Sequence, residues 1–175
     1  ASCLLSKNRN GEFKKNEIEK YFFDNFGTKK VLWLNHGFLE GDDTDSHIDT
    51  LARICPGNTI MYVECNDIND CHYTELHEMK KELEQFTDAD GNKFKLVKLP
   101  MPRPIYDEDN YRLPATYANF LITNKSVLVP TYGQPDNDNQ ALEAIKTVFH
   151  DKEVKGIDCN ALIKQHGSLH CITMQ

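Results

Sequence analysis

The sequence predicts a mixed α/β domain built from strand-strand-helix units. Short runs rich in β-branched residues, Thr59-Ile60-Met61-Tyr62-Val63 and Ser126-Val127-Leu128-Val129-Pro130, read as strands. Helical stretches follow them: residues 72–86, where Leu76, Met79, Leu83 and Phe86 recur at intervals of three and four, and residues 139–149. The third observation is negative. There is neither a glycine-rich dinucleotide loop nor a phosphate loop, which disfavours an ordinary doubly wound sheet.

Taken in order, residues 11–26 set Ile18, Tyr21, Phe22 and Phe26 among Glu and Lys at helical spacing, and Gly27 terminates the helix. Lys30-Val31-Leu32-Trp33-Leu34 then reads as a short strand delivering the chain to Asn35-His36-Gly37. Residues 41–50, GDDTDSHIDT, are polar and acidic; Leu51-Ala52-Arg53-Ile54 and a turn at Pro56-Gly57-Asn58 lead into the strand at 59–63. After the 72–86 helix and a turn at 88–92 comes a strand over 94–99. Pro100, Pro102 and Pro104 forbid regular helix or central strand, leaving an extended loop suited to a cleft rim. Strands at 117–123 and 126–130 pair through Asn124-Lys125. A turn at 133–138, the 139–149 helix, a strand at 154–157, a helical turn at 160–165 and a final strand at 169–173 complete the chain. No internal repeat is detectable.

The length of 175 residues suits one domain that hides roughly 70% of its unfolded surface, so disulfides are not needed for folding. Asp and Glu number 27 against 20 Lys and Arg, and the resulting net charge of -7 argues against a nucleic-acid backbone binder. No apolar run is long enough to span a membrane, and the Ala1-Ser2-Cys3-Leu4-Leu5-Ser6-Lys7 start lacks the order of a secretory signal. Cys3, Cys55, Cys65, Cys71, Cys159 and Cys171 are irregularly spaced, without a Cys-x-x-Cys pair, and are expected as reduced thiols. A cytoplasmic protein is the expectation.

Two segments carry chemistry. In Asp42-Asp43-Thr44-Asp45-Ser46-His47-Ile48-Asp49, His47 and Asp49 would share a face if the backbone were extended. They would then offer an imidazole for proton transfer and a carboxylate for a cation. The run is a poor match to a calcium loop, and no metal is expected. In Gly167-Ser168-Leu169-His170-Cys171, the cysteine becomes a nucleophile only beside a base or positive charge. His170 would point to the opposite face of a strand, so the distant His47 is the expected partner.

WLNHGFLEGDDTDSHIDTLARI (33–54), RLPATYANFLITNKSVLVPTYGQPDND (112–138) and GSLHCITMQ (167–175), in that order, resemble the agmatine deiminases of the guanidine-modifying superfamily, which also contains bacterial peptidyl-arginine deiminases. The glycine-rich approach to the family's cysteine is reduced here to His166-Gly167-Ser168. The resemblance implies a pentein, a five-bladed α/β propeller of which residues 1–175 would form the carboxy-terminal portion. It implies hydrolysis of agmatine to N-carbamoylputrescine and ammonia, in putrescine biosynthesis, without metal or organic cofactor. Cys171 would be the covalent nucleophile, His47 the general acid/base and Asp49 a guanidinium-binding carboxylate, with Asp43 and Asp45 in the substrate-binding signature. The implied partners are agmatine or a related guanidine, and an amino-terminal half or homologous subunit. Homo-oligomerisation stays open, and neither nucleic acid nor membrane is expected. Peptidyl-arginine or free-arginine deimination and a non-catalytic guanidine-binding fragment are the alternatives.

Overall fold

The computed structural model describes residues 1–44 and 46–173. Two short helices, α1 (Ser2–Leu5) and α2 (Lys7–Asn10), precede α3 (Lys15–Phe26). The Glu17 carboxylate closes the start of α3 by accepting the Lys14 amide at 2.8 Å, and Gly27, at φ +64°, closes its end by returning its N–H to the last-turn carbonyls. Ile18 is the buried residue of α3, while Tyr21, Phe23 and Phe26 are exposed.

The expected strand at 30–34 does not form. The segment it leads into is held by carboxylates instead of a strand neighbour. Glu82 accepts the amides of Asn35 (2.8 Å) and His36 (3.2 Å), and Glu75 accepts that of Gly37 (3.2 Å). Backbone donors satisfied by side chains need no ladder.

The rest of the chain forms two units of identical connectivity. In the first, β1 (Ala52–Cys55) and β2 (Thr59–Glu64) make an antiparallel hairpin with Ala52 opposite Tyr62; α4 (Tyr73–Gln85) then returns the chain to β3 (Lys95–Pro100), parallel to β2. In the second, β4 (Leu121–Ile122) and β5 (Ser126–Thr131) pair antiparallel, and α5 (Pro135–Lys146) leads to β6 (Glu153–Asp158), parallel to β5. The repeat is structural. The two units share a hydrophobic pattern but not residues, which is why the sequence shows no repetition.

Helix α4 lays Leu76, Met79 and Leu83 against β2, whose residues are buried from Thr59 to Val63. Helix α5 packs on β6 and also on β3, so both sheets share one core around Met61, Leu99, Phe120 and Phe149. It begins earlier than the sequence predicts, at Pro135, because proline suits the first helical position and Asp138 serves the entering turn. Asp138 accepts the Gln134 amide (2.9 Å), the Tyr132 amide (3.0 Å) and the Tyr117 hydroxyl (2.6 Å). Burial and the Asp138 carboxylate push the Tyr117 phenol far above its usual value, so it stays a donor. Tyr117→Phe removes this bond to a charged acceptor and is expected to cost about 1.5 kcal/mol. Urea unfolding should show a lower midpoint at unchanged slope.

The last departure positions the site. Residues 169–173 are not a strand: His170–Ile172 is a 3-10 turn whose leading amide, that of His170, is taken by Asn119. β4 is likewise shorter than expected, because Tyr117, Ala118, Asn119 and Phe120 are buried in a connecting loop rather than paired in a sheet.

Candidate active site

Three non-sheet segments meet around one buried amide. A 3-10 turn, Ile48–Thr50, presents Asp49; it is fixed by the Thr50 hydroxyl donating to the His47 carbonyl and by the Thr116 hydroxyl donating to the Thr50 carbonyl, both at 2.8 Å. The loop before β4 contributes Asn119, which is fully buried. Its Nδ2 donates to Asp49 Oδ2 at 2.9 Å, and its Oδ1 accepts the backbone N–H groups of His170 (2.8 Å) and Cys171 (3.2 Å). The third segment is the His170–Ile172 turn. There His170 Nδ1 lies 2.8 Å from Asp49 Oδ2, and Cys171 Sγ lies 3.8 Å from the same oxygen.

The alternating faces expected of a strand do not apply to this turn. In a 3-10 turn neighbouring side chains need not diverge, and both His170 and Cys171 reach Asp49. Asp49 Oδ2 is thereby occupied by Asn119 and His170, while Oδ1 has no hydrogen-bond partner among the described residues. Beneath the site Arg53 is half-buried, its Nη1 donating to the Phe120 carbonyl at 2.7 Å. Burial lowers the Arg53 pKa, while the charges of Asp49 and Cys171 oppose that shift.

His47 precedes the Asp49 turn and, with Asp49 and His170, lines a cavity of about 480 Å³ whose other walls include Leu34, His36 and Leu51. No hydrogen bond joins its ring to Cys171 among the described residues. Asp43 is exposed and is not among the residues lining that cavity, and Asp45 lies outside the described residues. The neighbour that organises this loop is Asp42, which sequence reasoning did not single out. Its carboxylate accepts the Thr44 hydroxyl (2.6 Å) and the Ser46 amide (3.0 Å), and Thr44 Oγ1 in turn accepts the His47 amide (3.4 Å).

Desolvation raises the Cys171 thiol above its ordinary range, and the charges of Asp49 and Asp42 add to the rise; hydrogen bonds from the Ser168 backbone and the Asn119 side chain oppose it. Without a cation beside it, Cys171 is therefore mainly a thiol at neutral pH. Its alkylation by iodoacetamide is expected to accelerate about tenfold per pH unit through pH 8 and 9, as only the thiolate attacks. Peptide mapping checks this by separating Cys171 from Cys71, whose thiol is pushed up to about 11 by burial and Glu40.

A second polar cluster, Glu40, Cys71 and His72, brings potential metal ligands within 4.8 Å of one another. Both nitrogens of the His72 ring are already engaged there. Nε2 accepts the Glu40 amide at 2.8 Å, and Nδ1 faces Asp70 at 2.6 Å. With Arg112 also in contact with Asp70 at 2.9 Å, the donor set does not suit a cation.

Asn119 is not among the residues expected at the site, yet the sequence carries a signal for it. An asparagine inside the apolar run Tyr117-Ala118-Asn119-Phe120 must be buried, and a buried amide requires partners. A strand over 169–173 would turn His170 away from Cys171; the 3-10 turn instead brings it to Asp49.

Comparison with known proteins follows the same lines. A family model described as Porphyromonas-type peptidyl-arginine deiminase matches residues 1–175. The agmatine deiminase of Medicago truncatula is 32% identical over 191 residues, covering 99% of this chain and 51% of its own length. A solved C. jejuni agmatine deiminase variant with substrate bound is 41% identical with a TM-score of 0.89, over 97% of this chain and 48% of that one. A structure described as a candidate arginine deiminase from Porphyromonas gingivalis is 50% identical with a TM-score of 0.95, over 99% of this chain and 51% of that one. The chain spans about half the length of the curated relatives it matches. Since the family match runs from the first residue to the last and the folds superpose, the chain belongs to the Porphyromonas-type peptidyl-arginine deiminase family.

Proposed function

We propose that this chain supplies the carboxy-terminal portion of a pentein catalytic domain that hydrolyses agmatine to N-carbamoylputrescine and ammonia in the cytoplasm, a step of putrescine biosynthesis. The observation that carries the reading is the convergence of Asp49, His170 and Cys171 on Asn119, beside a cavity that His47 also lines. Relatives named agmatine deiminase at 32–41% identity support the choice of reaction.

A guanidinium carbon is a poor electrophile because its positive charge is shared by three nitrogens. Asp49, with Oδ2 already held, has Oδ1 available to accept an N–H of the planar cation; a second carboxylate comes from the remainder of the domain. Asp43 is exposed, and its carboxylate adds to the negative potential around the loop that carries Asp49. The bound cation favours ionisation of Cys171, whose proton passes to His47, so substrate arrival creates both the nucleophile and the acid. Thiolate attack forms a carbon–sulfur bond; His47 donates a proton to the departing nitrogen, and ammonia leaves a thiouronium on Cys171. Water activated by His47 then attacks the same carbon, the carbon–sulfur bond breaks, and the ureido product departs. No cofactor enters this balance.

Agmatine carries an alkylammonium where arginine also has a carboxylate, so an acidic approach favours agmatine. One observation favours a second reading, deimination of free or peptidyl arginine: the 50% identity to a protein described as a candidate arginine deiminase. Ammonia release from agmatine, free arginine and an arginine peptide, measured side by side on the enzyme containing this chain, separates the two. Agmatine is expected to give the highest kcat/KM. Turnover of the peptide with agmatine inert would establish the second reading.

A further inference from the structure

The Asp70, His72 and Arg112 cluster lies outside the reacting groups but is built with unusual completeness. His72 is fully buried, with the Phe38 ring stacked on it at 4.9 Å. The Glu40 N–H can only donate, so Nε2 must be unprotonated and the ring proton sits on Nδ1, facing Asp70. Asp70 also accepts the His72 amide at 3.0 Å and pairs with Arg112 at 2.9 Å, which together hold its carboxyl well below the usual range. The titratable and charged groups facing the ring are thus Asp70, Arg112, Glu40 and Cys71.

What the ring holds is the root of the site loop. One residue beyond Glu40, Gly41 adopts φ +85°, and a Cβ there would come within 2.3 Å of the Arg112 carbonyl oxygen. The Gly41 carbonyl accepts the His166 Nδ1 proton at 2.8 Å, linking this loop to the segment that leads to Cys171. From Gly41 the chain passes to Asp42, whose carboxylate holds the Thr44 hydroxyl and the Ser46 amide and, through Thr44, the backbone of His47.

We propose that His72 is a positioning residue: its buried neutral imidazole pins the Glu40 amide, and through Gly41 and Asp42 it fixes where His47 stands relative to the Cys171 loop. The assignment of His47 and Cys171 as the reacting pair belongs to the reading above; the pinning itself does not depend on turnover. Protonation at Nε2 would set one N–H against another and release the loop. Burial, aided by the positive charge of Arg112, keeps the ring below the ordinary histidine pKa against the opposing pull of Asp70. An unfolded chain takes up the proton first as pH falls through about 6.5. The clasp is therefore fully effective above that value and weakens with acidification.

The test is ¹⁵N NMR of histidine-labelled protein, with amide spectra of wild type, His72→Gln and His72→Leu. Glutamine keeps an acceptor near Nε2; leucine does not. The wild-type ring should be protonated at Nδ1 alone at pH 7, and the Gly41 to His47 amides should shift in His72→Leu but hold near their wild-type positions in His72→Gln. Where deimination is followed, kcat should fall about tenfold in His72→Leu with KM little changed, and recover in His72→Gln. A proton on Nε2 at neutral pH, or equal displacement of the loop amides by both variants, overturns the proposal. If His72→Leu does not fold, the wild-type tautomer and the His72→Gln spectrum still decide. Absence of deimination with the amide pattern as expected would count against the functional reading and leave the positioning role standing.

Discussion

Cys171→Ser in the complete enzyme is expected to lower kcat by about four orders of magnitude or more while the protein stays folded. The serine hydroxyl occupies the same 3-10 turn, and the backbone N–H at 171 keeps its bond to Asn119. What is lost is ionisation: the charge of a bound guanidinium can bring a thiol to its anion, whereas a serine hydroxyl is far too weak an acid. Agmatine affinity should change little, since Asp49 and not the sulfur holds the cation in this account. Calorimetric binding of agmatine with ammonia release at background is the expected pair of results, and ordinary turnover by the serine variant would remove the covalent role.

Asn119→Ala should show the second-largest effect, and it should fall on stability and activity together. The side chain has both its amide donor and its carbonyl acceptor in use, serving Asp49 on one side and the His170 and Cys171 amides on the other. Truncation leaves partly buried groups without partners and opens a cavity, at a cost of about 2–3 kcal/mol. It also frees Asp49 Oδ2 and unfastens the Cys171 turn, so kcat should fall about 100-fold. Asn119→Asp is the sharper control. An ionised carboxylate cannot donate to Asp49 and sets like charges face to face, so this near-isosteric change should impair turnover at least as severely and recover partly at lower pH. An Asn119→Asp enzyme indistinguishable from wild type at neutral pH would show that the amide donor is unimportant.

Much of the fold was legible because periodicity and packing agree. In α4 the residues spaced for one face are the ones buried, and β2 and β5 fall where β-branched runs meet turn residues. The two failed strands share a physical cause. Residues 30–34 and 169–173 have strand-like composition, but strands need ladder partners that no local pattern reveals. Around 35–37 the partners are Glu75 and Glu82, and at 170–171 they are Asn119. These contacts span dozens of residues in sequence.

The site divides along the same line. His47, Asp49 and Cys171 are singled out by residue type and resemblance, because the chemistry proposed for them is written in their side chains. Asn119, His170, Asp42 and His72 are not, because each is distinguished only by what it contacts in the fold. Asp42 looks no different from Asp43 in the sequence, yet its carboxylate turns back to accept the Thr44 hydroxyl and the Ser46 amide while Asp43 stays exposed. The mixed α/β architecture was visible in the sequence; the identical connectivity of its two units became visible only in three dimensions.

The central chemical event of the proposed reaction is the bond from Cys171 to the guanidinium carbon. Acid-quenched reactions of the complete enzyme with agmatine, followed by peptide mapping, test it at a single atom. The predicted result is a transient adduct on Cys171 with the mass of agmatine less ammonia, rising and decaying in step with product. Sustained ammonia release with Cys171 unmodified at every quench time, or an adduct confined to another cysteine, would contradict it.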